Sequence, residues 1–206
     1  MKEHLKNDAA QMDHILDIIK KQGTEYLNSI EDRPTTINEA FEPAHTELSQ
    51  TGYGTEETLK IFNERFEPIM VGSSGPRYWG FVTGGSTPAS IAGDWLATIY
   101  DQNPQSVKEQ GDISANIEME TIQLLLKLLQ LPNNFLGGFV TGATMSNFTC
   151  MAVARQWLGK QQGRDIAKDG LSEPVKVLTA TAHSSSIKSL SLLGSGSSNI
   201  IRIKTE

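Results

Sequence analysis

A run of small and polar residues from Thr141 to Asn147 has the residue types that bind phosphate. It reads Thr-Gly-Ala-Thr-Met-Ser-Asn and directly follows the apolar run GGFV. Small side chains let the backbone approach a ligand closely, the first N–H groups of a helix have no intrahelical acceptor, and the Thr144 and Ser146 hydroxyls add donors. The same residues fit a second interpretation, in which Thr141 or Thr144 caps the helix that follows. The turn is therefore a candidate anion site, with helix capping as the alternative.

A second turn, from Ala182 to Ser186, carries a histidine. The flat imidazole of His183 could stack on a planar ligand, whereas a lone histidine can also be structural or solvated. In a doubly wound sheet, ligands bind beyond the carboxyl ends of the strands, and both turns are predicted to lie at that edge. The two turns together therefore favour a ligand site more strongly than either does alone.

Three predicted strands and two predicted helices must position these turns. The apolar or β-branched runs at 137–142, 175–182 and 199–206 are typical of strands, and the two segments between them are typical of helices. The order β-α-β-α-β favours a parallel sheet with right-handed crossovers. Because no helix follows the third strand to cover the sheet, we expect the sequence to be cut off inside a larger α/β domain.

The residues before this α/β region are predicted to be mainly helical. Amphipathic patterns and turn-rich interruptions predict helices at about 8–30, 55–70, 88–103 and 114–131. Thr87 followed by Pro88 is typical of an N-cap with proline at the first helical position. Pro132 is expected to end the last of these helices.

Composition and charge exclude several classes of partner. The 206 residues carry 24 acidic and 18 basic side chains, for a net charge of −6. Without a basic run longer than Lys20-Lys21, the chain lacks the electrostatic pattern of nucleic-acid or anionic-membrane binding. The single Cys150 cannot close an intrachain disulfide, the N-terminus lacks the apolar core of a signal peptide, and no apolar run approaches the ~18 residues of a membrane span. We therefore expect a cytoplasmic protein that binds neither nucleic acid nor membrane.

Three blocks of sequence resemble a known enzyme family in their order and spacing. The blocks at 75–103, 131–155 and 177–194 contain GPRYWGFVTGG, LPNNFLGGFVTGATMSN and VLTATAHSSSIK. They resemble the group II pyridoxal-phosphate-dependent amino acid decarboxylases, relatives of the aromatic amino acid and glutamate decarboxylases. Residues 1–69 match this family only as a generic helical N-terminal segment. The resemblance implies an α/β fold, the start of a fold-type I pyridoxal-phosphate (PLP)-dependent transferase large domain, and the decarboxylation of an amino acid.

Site residues follow from the resemblance position by position. The turn at Gly142, Ala143 and Thr144 is expected to hold the PLP phosphate, and His183 is expected to stack on the pyridine ring. The loop that includes Phe81 and Thr83 is expected near the substrate pocket. The Schiff-base lysine and the aspartate that protonates the ring nitrogen are expected beyond Glu206, because Lys168, Lys188 and Lys204 do not match the lysine's context. No catalytic residue and no metal ligand is therefore assigned within these residues.

Two alternatives to a decarboxylase stay open at this stage. One is another fold-type I PLP enzyme, such as a lyase or aminotransferase, because fold alone does not fix the reaction. The other is a catalytically silent dimerisation module. A homodimer is expected from the resemblance and from the amphipathic first helix. The expected organisation is a helical segment at 1–74, a loop and helices at 75–132, and an incomplete PLP-binding α/β domain at 133–206.

Overall fold

The computed structural model describes residues 3–37, 50–103 and 112–204. The chain divides into two compact units, Met1–Asp101 and Gln102–Glu206. The three segments expected from the sequence, 1–74, 75–132 and 133–206, stay a prediction. They were defined by function, whereas the two units are defined by compactness. No helix of the described residues combines the length and the apolar character needed to cross a membrane.

The first unit is helical. Its helices are α1 (Glu3–Ala10), α2 (Met12–Asn28), α3 (Thr55–Arg65), which a 3₁₀ turn follows at Glu67–Ile69, and α4 (Pro88–Tyr100). The helix predicted at about 8–30 corresponds to α2, which begins later than predicted because the backbone departs from helical geometry at Gln11, where ψ is 20°. Asp8 of α1 contacts another helix: its Oδ2 accepts hydrogen bonds from the Thr55 amide at 3.0 Å and the Thr55 hydroxyl at 2.8 Å. A carboxylate at this position stabilises the start of α3.

The start of α4 follows the sequence prediction. The Thr87 hydroxyl accepts a hydrogen bond from the Ser90 amide at 3.2 Å, and the Ser90 hydroxyl accepts one from the Thr87 amide at 2.9 Å. Pro88 occupies the first helical position. The reciprocal pair satisfies two amides that the helix itself cannot satisfy, so it fixes where the loop before α4 ends.

The second unit combines helices with a small parallel sheet. Its elements are α5 (Ser114–Leu128), α6 (Ala143–Gln161), α7 (Ile166–Asp169), β1 (Val177–Thr179), α8 (Ser184–Leu192) and β2 (Ile200–Arg202). The two strands pair in parallel, with Val177 opposite Ile200 and Thr179 opposite Arg202. The predicted α-β-α-β order over the last part of the chain is therefore present, with shorter strands than the sequence predicts.

The first predicted strand, at 137–142, is not formed. A strand needs a neighbouring strand to accept and donate its backbone hydrogen bonds. Among the described residues the sheet contains β1 and β2 alone, and the Phe139 amide instead donates to Glu118 Oε1 at 3.0 Å. The prediction of three strands was wrong in this respect, and the described chain is mostly helical.

Helices α6 and α8 run parallel and are joined by two side-chain hydrogen bonds. Near their N-termini, Asn147 Nδ2 donates to Ser185 Oγ at 2.9 Å. Further along, Arg155 Nη1 donates to the Leu193 carbonyl at 2.7 Å. Both contacts join residues that lie 38 positions apart in the chain, so the helices keep one register along their length. This pairing places the N-terminal ends of α6 and α8 side by side.

Candidate functional site

The turn before α6 leaves its backbone donors available. Gly142 is the N-cap residue, with a φ of 150° that favours glycine, and within the described residues no side chain caps the helix. The capping alternative for Thr141 and Thr144 is therefore not what the structure contains. Residues 141–146 are exposed. Because the first amides of an α-helix have no intrahelical acceptor, those of Ala143 and Thr144 can donate to an anion.

His183 caps α8 with its side chain. Its Nδ1 accepts a hydrogen bond from the Ser185 amide at 3.2 Å and lies 2.7 Å from Ser185 Oγ. The residue as a whole is exposed, whereas Ser185 is only 5% exposed. The imidazole is thus held at one edge while the rest of the ring stays accessible. His183 can therefore cap α8 through Nδ1 and still stack its ring on a ligand.

One side chain connects the two turns. Asn147, in the second turn of α6, donates to the Ser185 hydroxyl, which in turn contacts His183. The structure therefore brings the Gly142–Thr144 turn and the His183 turn together through the contact between α6 and α8, and not through a shared sheet edge, since no strand precedes Gly142 among the described residues. Sequence reasoning placed Asn147 and Ser185 in these turns and missed the contact between them. Nothing in the sequence indicated this contact, because Asn147 is the fifth residue of α6 and Ser185 is the second residue of α8.

The loop with Phe81 and Thr83 belongs to the first unit and is described by itself. Phe81 and Val82 adopt the left-handed conformation, with φ of 54° and 57°. Such a pair is unusual for non-glycine residues, and above all for a β-branched valine. The Phe81 side chain is 93% exposed. Thr83 donates to the Ser73 carbonyl at 3.3 Å and lines a cleft of about 480 Å³ with residues 73–76, 78–79 and 84–85.

The donors of the α6 turn and the imidazole of His183 fit the two ends of PLP. The phosphate requires N–H and O–H donors near a helix N-terminus, which Ala143, Thr144 and Ser146 supply. The pyridine ring requires a flat partner, which the exposed ring of His183 supplies. The open space at Gly142, where an added Cβ would meet nothing within 4 Å, leaves room for a ligand against the backbone.

Comparisons with known proteins agree with the resemblance in the sequence. No protein-family model matches the chain. An aromatic-L-amino-acid decarboxylase from Bacillus atrophaeus is 26% identical over 214 residues, which cover 100% of this chain and 42% of that protein.

Solved structures give the same result for the fold. The crystal structure of Oryza sativa TDC with PLP and tryptamine matches with a TM-score of 0.76 and 21% identity, over 96% of this chain and 44% of that one. The glutamate decarboxylase domain of a diaminobutyrate-pyruvate transaminase and L-2,4-diaminobutyrate decarboxylase from Vibrio parahaemolyticus matches with a TM-score of 0.75 and 17% identity, over 93% of this chain and 44% of that one. The chain thus spans less than half the length of these proteins.

These findings confirm the predicted resemblance. The chain shares the fold of a part of PLP-dependent decarboxylases, and its sequence is similar to an aromatic-L-amino-acid decarboxylase. PLP, the cofactor that the resemblance implies, is present in the Oryza sativa structure.

Proposed function

We propose that this chain is the PLP-phosphate and ring-stacking part of an amino acid decarboxylase. The hydrogen-bonded link between the two turns, from Asn147 through Ser185 to His183, is the observation that carries the proposal. It unites a set of phosphate donors with a flat imidazole, and the resemblance assigns those two tasks to the same turns. The similarity to decarboxylases supports the reaction class.

The α6 turn binds the phosphate in this proposal. The amides of Ala143 and Thr144 and the Thr144 hydroxyl donate hydrogen bonds to it. The partial positive charge at the helix N-terminus favours an anion by about 0.3–1 kcal/mol, and by up to ~2 kcal/mol where the geometry is partly buried. Gly142 allows the backbone to turn into the helix at a φ of 150°. These interactions position the cofactor and take no part in bond breaking.

His183 orients the ring of the cofactor. PLP, when bound, supplies the electron sink for the electron pair left by the Cα–carboxylate bond. The contribution of His183 is a rigid flat face, because Ser185 contacts its Nδ1 through both the amide and the hydroxyl. Phe81 and Thr83 are proposed to border the amino acid substrate, on the strength of the resemblance.

Product analysis tests this function. The sample is the longest natural polypeptide that contains these 206 residues, hereafter the natural polypeptide. With PLP and each of the common amino acids in turn, we expect carbon dioxide and the corresponding amine from at least one of them. A keto acid formed without carbon dioxide, in a parallel assay that also contains a 2-oxo acid as acceptor of the amino group, would instead indicate an aminotransferase. The failure of PLP to bind at all would contradict both enzyme functions.

A homodimer is the proposed assembly of the natural polypeptide. Helix α2 has an amphipathic sequence, and within the described residues Ile15 is its one buried side chain. Met12 and Leu27 of the same helix are 50% and 42% exposed, so apolar surface remains for a partner. Sedimentation at micromolar concentration is expected to give the mass of two copies. A single monomeric species under these conditions would contradict the proposal.

A further inference from the structure

We propose that Ser185 and Asn147 are positioning residues that hold His183 in its Nε2–H tautomer and tie the imidazole to the α6 turn. This inference rests on the proposed function for its importance in catalysis. The tautomer itself follows from contacts within this chain. The Ser185 amide and hydroxyl face His183 Nδ1, and Asn147 Nδ2 donates to that hydroxyl. The tautomer can therefore be tested without a cofactor.

The backbone of Ser185 determines which nitrogen carries the proton. Its amide points at His183 Nδ1 across 3.2 Å. An amide N–H can only donate, so Nδ1 must accept and must be unprotonated in this geometry. In the neutral ring the proton then lies on Nε2.

The hydroxyl of Ser185 adds a second, shorter hydrogen bond with a defined direction. Asn147 Nδ2 donates to Ser185 Oγ at 2.9 Å, which occupies an acceptor site of the hydroxyl. The hydroxyl proton remains free to point at Nδ1, which is 2.7 Å from the same oxygen. Ser185 is 5% exposed, so water competes little for this proton. The chain of donors thus runs from Asn147 to Ser185 to His183.

The packing of α6 against α8 keeps this chain of donors in place. The Arg155 contact with the Leu193 carbonyl fixes the register, which keeps Asn147 opposite Ser185. One turn after Ser185, the fully buried Ser189 donates to the Ser185 carbonyl at 2.8 Å, so its hydroxyl is satisfied within α8 itself. Loss of the Asn147 contact leaves the hydrogen bond between Arg155 and Leu193 in place. It is therefore expected to change the orientation of His183 without separating α6 from α8.

These hydrogen bonds hold the imidazole ring of His183 in one orientation. A half-turn of the ring about its Cβ–Cγ bond would move Nδ1 away from both donors and would cost two hydrogen bonds. The site therefore presents one imidazole face and a fixed N–H donor at Nε2. Because Asn147 belongs to α6, the orientation of the ring is coupled to the helix whose N-terminus is proposed to hold the phosphate.

Nitrogen NMR of the histidine side chains tests the inference. The natural polypeptide is labelled with ¹⁵N-histidine, freed of cofactor and measured at pH 8, and the His183 signal is assigned with His183→Gln. We expect the Nε2–H pattern. Ser185→Ala removes the hydroxyl, and Asn147→Asp makes the hydroxyl donate to the new carboxylate. Each change is expected to lower the ratio of Nε2–H to Nδ1–H forms by about fivefold, the factor that one ordinary hydrogen bond contributes.

Two further measurements separate this inference from the proposed function. Ser191→Ala removes a hydroxyl from the same helix, one that donates to the Ile187 carbonyl, and is expected to leave the tautomer ratio unchanged. Asn147→Asp adds a favourable charge near the start of α6, so it should fold even if Ser185→Ala does not. The Kd for PLP is expected to rise about fivefold in Ser185→Ala, which adds no charge near the proposed phosphate site.

Each result has a defined meaning. An unchanged tautomer ratio in Asn147→Asp would overturn the inference, whether or not PLP binds. A changed ratio with an unchanged Kd for PLP would overturn the claim that these residues act on the cofactor site. A changed ratio in a protein that never binds PLP would support the tautomer assignment and refute the proposed function.

Discussion

Thr144→Val is expected to raise the Kd of the natural polypeptide for PLP by about tenfold or more. The change removes one hydroxyl and keeps the β-branched shape and the backbone amide. A hydrogen bond to a charged group contributes about 1.5–3 kcal/mol, and each 1.4 kcal/mol corresponds to roughly tenfold in affinity. The melting temperature of the cofactor-free form is expected to stay the same, because no side chain caps α6 within the described residues. Equilibrium titration with PLP measures the effect.

A matched control lies on the same helix. Thr149 is exposed in the middle of α6, so Thr149→Val makes the same chemical change away from the turn. It is expected to leave the Kd for PLP unchanged. If Thr144→Val lowers stability by about 1 kcal/mol and leaves the Kd alone, Thr144 is a helix cap and our interpretation of the turn is wrong.

Two substitutions at His183 separate its tasks within the same site. Asparagine is a good N-cap residue without a flat aromatic ring, whereas alanine can perform neither task. His183→Asn is therefore expected to weaken PLP binding and to keep the stability of the cofactor-free form. His183→Ala is expected to weaken binding to a similar extent and also to lose about 1 kcal/mol of stability. Equal stability in the two variants would contradict the cap that the structure shows between Nδ1 and Ser185.

The 206-residue polypeptide by itself is expected to form no specific Schiff base with PLP and to release no carbon dioxide. A lysine that forms a Schiff base needs a lowered pKa, which burial or a neighbouring cation provides. Every lysine of the described residues is exposed, including Lys168, Lys188 and Lys204. The expected result of borohydride reduction is therefore weak labelling spread over several lysines.

Mass spectrometry of the reduced chain decides this prediction. The natural polypeptide, treated in the same way, is the control for the labelling chemistry. Stoichiometric labelling of one lysine within residues 1–206, together with carbon dioxide from any amino acid, would show that these residues form a complete enzyme. That result would overturn the prediction that no lysine of these residues forms a specific Schiff base.

Local sequence patterns predicted those elements that depend on local interactions. The start of α4 was predicted correctly because its cap lies within the four residues Thr87 to Ser90. The strand at 137–142 was predicted wrongly because its sequence specifies an extended backbone but not a neighbouring strand. The contact between Asp8 and Thr55 was not predicted because it joins residues that lie 47 positions apart. Periodicity carries no information about such contacts.

The same distinction applies to the site. The Gly142–Thr144 turn and His183 could be proposed as site residues because small residues and a histidine after predicted strands are visible in the sequence itself. A structural role was one of the interpretations that the sequence allowed for a lone histidine. The sequence did not predict which ring nitrogen of His183 caps α8 or which amide donates to it. The contact between Asn147 and Ser185 joins two helices, so it depended on a register that the sequence does not specify.

The parallel pairing of α6 and α8 also limits how this region can change in evolution. Asn147 and Arg155 are eight residues apart, as are their partners Ser185 and Leu193, so each pair of contacts spans about 12 Å of helix. An insertion or deletion inside either span would shift one contact by about 100° around its helix and break it. Between the two helices, α7 and the pairing of β1 with β2 set their own limits on length. In an alignment of related proteins, gaps should therefore fall in the loop at 170–176 and avoid both helical spans.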